Sequence, residues 1–239
     1  MKKNKYYKLL INLLDDVVSL VYPRTCAACN QVLLNHEILL CMLCEVEIPK
    51  TNYHLMPNNP IEKMFWGRFE LESAAAYLHF RKQGGVQKIM HKLKYKGKSD
   101  VGTVIGERYG REVAKVDRFK NVDVIVPIPL HRDKQKTRGY NQSEMFGIGL
   151  SEGMNVPLSV DNFVKITATE SQTKKNRSER WKNVRDVFQV NNPELLENKH
   201  ILLIDDIITT GATIEAAALI LLKIKGVKIS VLGMAVSGG

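Results

Sequence analysis

Two carboxylates side by side at the end of an apolar run, followed at once by hydroxyls and a glycine, stand out in HILLIDDIITTGAT, residues 200–213. Adjacent like charges repel, so something must hold Asp205 and Asp206 in place. Vicinal hydroxyls of a sugar and a Mg²⁺ ion would both do so. The Thr209-Thr210-Gly211-Ala212-Thr213 turn asks for a different group. Small residues opening a helix present free backbone N–H groups at the positive end of the helix dipole, with threonine hydroxyls as further donors, which suits a phosphate monoester. An ordinary helix start would account for one aspartate and one threonine, but not for DD-x-x-T-T-G-x-T as a whole. The turn is not a P-loop, since no Gly-Lys-Ser/Thr follows, and no G-x-G-x-x-G occurs.

A second chemical cluster lies near the amino end. Cys26 and Cys29, then eleven residues, then Cys41 and Cys44 form two C-x2-C knuckles within nineteen residues. Four thiolates so spaced can surround one Zn²⁺ at S–Zn distances of about 2.3 Å, a closed structural site. Two disulfides are the competing arrangement, disfavoured because no export signal precedes them. His36 is read as a bystander. A metal would replace the core that so short a segment cannot build, making residues 1–50 a module of their own.

These groups need a scaffold. VDVIVPIPL (122–130) is an apolar, β-branched run, NQSEMFGIGLSEGM (141–154) has helical spacing, and HILLID is a second buried strand. TIEAAALILLKIKG (213–226) reads as a helix stopped by Gly226, and VKISVLGMAV (227–236) returns as a strand. Strand, helix, strand in this order predicts right-handed crossovers and an α/β parallel sheet flanked by helices. Ligands of such sheets bind beyond the carboxyl ends of the strands, where Asp205 and Asp206 fall. Residues 51–80 read as a connecting or hood-like segment and 81–239 as the sheet domain.

The net charge of +10 is placed rather than diffuse. Residues 79–98 carry seven Lys or Arg and no acid, 131–140 four against one acid, and 174–185 six against one; the remainder of the chain is net negative. That pattern favours a polyanionic partner. Phe80, Tyr95, Tyr140 and Trp181 interleave with the basic runs, as a single-stranded nucleic acid with stacked bases would require. At the amino end, lysines at 2, 3, 5 and 8 precede an apolar stretch that Asp15 and Asp16 break after six residues, too short to span a bilayer. Leu10, Leu13, Leu14, Val17 and Val18 instead make one face of an amphipathic helix, for packing on its own protein or, alternatively, peripheral membrane contact. A cytoplasmic location follows from this reading.

ILLIDDIITTGAT resembles the phosphoribosyl-diphosphate (PRPP) motif of type I phosphoribosyltransferases. IVPIPLHRDKQKTRGYNQSE (125–144) and SQTKKNRSERWKNVRDVF (171–188) are similar to the P-x-P-L-H…R-G-[FY]-N-Q and Q…R-x-x-N-x-x-x-x-F of the ComF branch of competence proteins, related to the amidophosphoribosyltransferases, and the Cys₄ module belongs to the same pattern. The resemblance implies a type I phosphoribosyltransferase-like sheet behind a small zinc-ribbon-like module. Asp205 and Asp206 would hold the ribose hydroxyls, with Thr209, Thr210, Gly211, Ala212 and Thr213 around the 5′-phosphate of Mg²⁺-PRPP. Pro127, Ile128, Pro129, Leu130 and His131 match the pyrophosphate loop, with Arg138 nearby, and Gln172, Arg177 and Arg180 lie on a mobile covering loop. No residue is identified as catalytic, and no cysteine-nucleophile domain for an amidotransferase is present. The implied role is DNA uptake with single-stranded DNA as ligand and a DNA-translocating ATPase of the competence machinery as partner. The alternative is a Mg²⁺-dependent transferase whose acceptor the sequence does not name.

Overall fold

The computed structural model describes residues 23–94, 99–130, 136–166 and 188–238. The amino-terminal amphipathic segment, His131, Gln172, Arg177, Arg180, Tyr95 and Trp181 lie outside the described residues.

Four parallel strands, β1 (Ser73–Phe80), β2 (Val124–Pro127), β5 (His200–Ile208) and β6 (Lys228–Ser237), form one sheet in the order β1-β6-β5-β2. A strand buried on both faces has no reason to alternate apolar with polar, and β5 and β6 are near-continuous aliphatic runs. Their side chains divide by parity. Leu202, Ile204, Leu232 and Met234 enter one core with the helices α3 (Gly85–Lys94), α4 (Asp100–Val113) and α5 (Gln142–Met154). Ile201, Leu203, Ile229 and Val231 enter the other with α2 (Pro60–Phe65) and α6 (Ala212–Leu221). A short antiparallel ribbon, β3 (Phe163–Lys165) with β4 (Phe188–Val190), stands apart from the sheet, and the stretch read as a covering loop departs from and returns to it.

α4 and α5 cross almost backbone to backbone. A Cβ on Gly149 would sit 2.0 Å from the Thr103 carbonyl oxygen and one on Gly106 2.2 Å from that of Phe146, so neither position has room for a side chain. This contact fixes where α5 begins, and α5 begins at the functional end of the sheet.

Several boundaries differ from those expected. The strand from residue 122 shortens to Val124–Pro127, because Pro127 and Pro129 lack the N–H that would continue the ladder, although Ile128 N still donates to Ile204 O at 2.8 Å. β5 runs past the aspartates to Ile208 instead of ending at them. α6 stops at Leu221, where Lys223 N to Ile220 O (3.2 Å) and Ile224 N to Leu221 O (3.0 Å) tighten the chain into a turn. Gly226 serves that turn at φ +71°, pressed against Asn198.

Residues 51–80 are not a connector. They supply α2 and the edge strand β1, tied together by Glu62, which accepts from Ala74 N at 3.2 Å and pairs with Arg118. The sheet domain therefore begins before residue 81. Nor does the cysteine segment have a core of its own: Cys26, Ala27, Leu33, Leu39 and Leu40 join Ala75, Leu78, Ile89 and Met90 in one cluster. The chain leaving it runs along the edge of β1, with Thr51 N donating to Tyr77 O (2.9 Å) and His79 N to Pro49 O (2.8 Å). An open edge strand invites pairing with other chains, and this segment covers it.

Candidate functional site

Asp205 and Asp206 are accommodated by one serine. Ser143, in the first turn of α5, donates from Oγ to Asp205 Oδ1 at 2.9 Å and accepts from Asp206 N at 3.1 Å. Asp206 N also donates to Asp205 Oδ1 at 2.9 Å, and Ile207 N to Asp206 Oδ1 at 2.8 Å. Ser143 is held by Asn141, the N-cap of α5, whose Oδ1 accepts from Ser143 N at 3.2 Å while Nδ2 donates to Ile128 O at 3.0 Å. One residue thus ties the helix start to the turn after β2.

Burial, and second the neighbouring Asp206 charge, push the Asp205 carboxyl up to about 7, against the downward pull of Ser143 and the Asp206 N–H. Near neutral pH the pair is relieved of part of its repulsion by a proton. The linkage has a definite sign: a carboxyl that ionises at about 4 unfolded and about 7 folded favours the folded state below pH 4, and that contribution is lost as pH rises through 7. Asp205→Asn keeps the acceptor for Ser143 but has no charge to bury. We expect the urea midpoint of the wild type to fall relative to that of Asp205→Asn between pH 5 and pH 8; parallel pH profiles would contradict the assignment.

The turn beyond β5 exposes Thr209, Thr210, Ala212 and Thr213 while Gly211 is buried. Gly211 takes φ +75°, and a Cβ there would meet Phe65 Cε1 at 2.6 Å and Met64 Sδ at 3.1 Å. The N-cap Gly211 has no side chain to offer the start of α6, and Ala212 N donates instead to Thr210 Oγ1 at 3.4 Å. From the other side Arg68 Nη1 donates to Thr210 O at 3.0 Å and approaches Glu215 Oε2 at 3.3 Å. The turn is thus braced by α2 and the residues after it.

Across the carboxyl ends of the strands, Pro127, Pro129, Leu130, Asn141, Glu144 and the β3 residues line a cleft of about 440 Å³. Burial, then Asp161, raises the Glu144 carboxyl above its ordinary range. Arg138 Nη1 donates to Gln142 Oε1 at 2.9 Å, and Gln142 Nε2 is buried with no hydrogen-bond partner among the described residues. The structure therefore brings the Asp pair, the Thr/Gly turn and the Pro127–Leu130 turn to one end of the sheet. Ser143, Asn141, Phe65 and Arg68 were missed in the sequence as parts of this site, although Asn141 and Ser143 stand inside the quoted NQSE.

The four cysteine sulfurs lie within 4.8 Å of one another, Cys29 Sγ 3.7 Å from Cys41 Sγ. A tetrahedron of about 2.3 Å Zn–S bonds has edges of about 3.8 Å, whereas a disulfide would require about 2.05 Å. All four thiols are free. Burial raises the Cys26 thiol, but backbone N–H groups of Cys29, Cys41 and Ala28 outweigh it and bring it down to about 6, while Cys41 and Cys44 are pushed up. The donor set fits a soft divalent ion.

Of the aromatic residues interleaved with the basic runs, Phe80 and Tyr140 pack partly buried against the core, and Tyr140 Oη donates to Leu93 O at 2.6 Å. They serve the fold rather than an open stacking platform. α3 turns Val86, Ile89, Met90 and Leu93 inward, with Lys88 and His91 exposed. Arg81 and Lys82 are exposed in the turn before it. Among the described residues no helix is long and apolar enough to cross a membrane.

The profile of the family described as "Phosphoribosyl transferase domain" matches residues 141–237, from the α5 cap to the end of β6. The DNA utilization protein YhgH of Escherichia coli (strain K12) is 25% identical over 202 residues, 83% of this chain and 84% of that one. Competence protein ComFC of Bacillus subtilis (strain 168) is 32% identical over 138 residues, 58% of this chain and 54% of its own. Competence protein F of Haemophilus influenzae is 29% identical over 127 residues, covering 52% and 55%. Among solved structures, the glutamine PRPP amidotransferase from B. subtilis aligns at 18% identity and a TM-score of 0.41, over 60% of this chain and 30% of that one. The chain is thus similar over most of its length to a DNA utilization protein and over about half of it to two competence proteins, and it carries the NQS and DD-x-x-T-T-G-x-T motifs at one end of its parallel sheet with four clustered cysteines ahead of it.

Proposed function

We propose that the protein acts in the handling of incoming DNA during competence, binding single-stranded DNA through its basic face and Mg²⁺-PRPP or a related phosphoribosyl ligand at the carboxyl end of the sheet. The names of the relatives support the DNA role. The observation that carries the pocket is the Gly211 turn: exposed threonine hydroxyls stand at a helix start a few residues from the Ser143-braced aspartates. In this reading Asp205 and Asp206 accept from the ribose hydroxyls, residues 209–213 hold the 5′-phosphate, and the Pro127–Leu130 turn with Arg138 faces the pyrophosphate. The cleft beside Pro129 leaves space there. His131, Gln172, Arg177 and Arg180 belong to the same proposal as pyrophosphate and covering contacts. Bound Mg²⁺ would neutralise the pyrophosphate, and the cysteines would hold a structural Zn²⁺. A DNA-translocating ATPase as working partner follows from the family resemblance.

Binding of a labelled single-stranded oligonucleotide, followed by anisotropy at a series of salt concentrations, tests the DNA role. The log of the association constant should fall with log salt by about 0.7 for every phosphate contacted. Lys88→Glu, on the exposed side of α3, should weaken binding and shallow that slope. A salt-independent signal would remove the DNA reading. Absence of binding in protein that holds Mg²⁺-PRPP would leave the second reading, a transferase with its own acceptor.

A further inference from the structure

The start of α5 ties three parts of the proposed site together through three consecutive side chains. Asn141 Nδ2 donates to Ile128 O in the turn after β2 at 3.0 Å, Gln142 Oε1 accepts from Arg138 Nη1 at 2.9 Å, and Ser143 Oγ donates to Asp205 Oδ1 at 2.9 Å. Gln142 differs from its two neighbours in being only half used. It is 1% exposed, and its Nε2 is buried with no hydrogen-bond partner among the described residues. The orientation of the amide is fixed by chemistry: a guanidinium only donates, so the carbonyl oxygen must face Arg138 and the NH₂ group is the one left over. A buried donor without an acceptor is a cost to the fold.

For the fold alone, glutamate would serve this position as well or better. It would accept from Arg138, it would leave no donor to satisfy, and at the first residue of a 13-residue helix it would place an acid where the helix dipole favours one. Four other arginines are held in that way: Arg68 pairs with Glu215, Arg108 with Glu45 of the short helix α1 (Met42–Glu47), Arg111 with Glu107 and Arg118 with Glu62. Arg138 has no carboxylate partner among the described residues, and the acceptor that orients it is a neutral amide. Either acceptor fixes a guanidinium; only the carboxylate offsets its charge.

We propose that Gln142 is a positioning residue whose neutral amide aims the Arg138 guanidinium without offsetting its charge, so that this charge and the remaining N–H groups stay available to a diphosphate. The role rests on Arg138 facing the pyrophosphate, as proposed above, and adds a requirement to it: whatever holds Arg138 must be an acceptor and must be uncharged. The orphaned Nε2 is the cost of meeting both conditions with one side chain.

Two substitutions separate the conditions. Gln142→Glu keeps the acceptor and adds the charge, and Gln142→Met keeps the length and removes the acceptor. Isothermal titration of the full chain with Mg²⁺-pyrophosphate and, separately, with ribose 5-phosphate, which has no diphosphate, reads the two ends of the pocket independently. Both variants should bind Mg²⁺-pyrophosphate about tenfold more weakly, the size of one charge-assisted hydrogen bond, and should bind ribose 5-phosphate as the wild type does. Undiminished pyrophosphate affinity in Gln142→Glu would show that Arg138 needs only to be held, and undiminished affinity in Gln142→Met that it needs no holder. An equal loss of ribose 5-phosphate would show that the substitutions merely disturb the start of α5. Any of these overturns the proposal. Wild type that takes up ribose 5-phosphate but no pyrophosphate would remove Arg138 from the diphosphate site, and wild type that binds neither would remove the pocket itself; in both cases Gln142 has no anion to serve and its role falls with that reading.

Discussion

Cys41→Ser should give a chain that binds no zinc and precipitates, whereas the wild type should carry about one equivalent of the metal. The size of the effect follows from what the module packs on. Metal binding to four cysteines contributes on the order of 10–16 kcal/mol to holding such a segment folded, comparable with the whole stability of a domain of about 5–15 kcal/mol. Here the loss would not stay local. Cys26 and Cys41 share a cluster with Leu78, Ile89 and Met90, and the chain just beyond the knuckles supplies the backbone partners of Tyr77 and His79 on β1. Unfolding the module would open that edge and uncover apolar surface together, the two conditions for aggregation. Metal analysis and hydrogen exchange over residues 73–80 read the two consequences separately. Metal-free wild type with fully protected residues 73–80 would show that packing alone holds the module and would remove zinc from it.

The parts of the site that were legible in the sequence are those whose chemistry is local. Asp205, Asp206 and the Thr209–Thr213 turn sit within nine residues, and the carboxylate spacing, the glycine and the apolar run before them all point the same way. What braces them comes from far along the chain. Arg68 reaches the Thr210 carbonyl across 142 positions and Ser143 reaches Asp205 across 62, distances at which residue spacing carries no signal. β1 was hidden for a different reason. Ser-Ala-Ala-Ala-Tyr-Leu has no alternation and is rich in the strongest helix former, so its strand conformation is imposed by pairing with β6 and by the small space between two helical layers. The α4–α5 crossing likewise reads as scattered glycines until the facing carbonyls are placed beside them.

Asp205→Asn combined with Asp206→Asn should weaken Mg²⁺-PRPP binding by about a hundredfold or more, since each carboxylate that accepts from a hydroxyl contributes about 1.5–3 kcal/mol and every 1.4 kcal/mol is about tenfold. A fold defect could imitate that loss, and the site supplies its own control. Both amides retain an acceptor oxygen for Ser143 and for the N–H groups of Asp206 and Ile207, and the repulsion between the two carboxylates disappears. The double variant should therefore resist urea at least as well as the wild type at pH 8 while binding its ligand far less well. Stability and affinity moving in opposite directions is the signature of charges kept for a ligand at a cost to the fold. Isothermal titration with Mg²⁺-PRPP, alongside urea unfolding of the same preparations, reads both. Unchanged PRPP affinity in a stable double variant would remove the sugar-binding role from the aspartates. A parallel loss of affinity and stability would mean that the pair holds the end of β5 together, and that the ligand, if one binds, is recognised elsewhere.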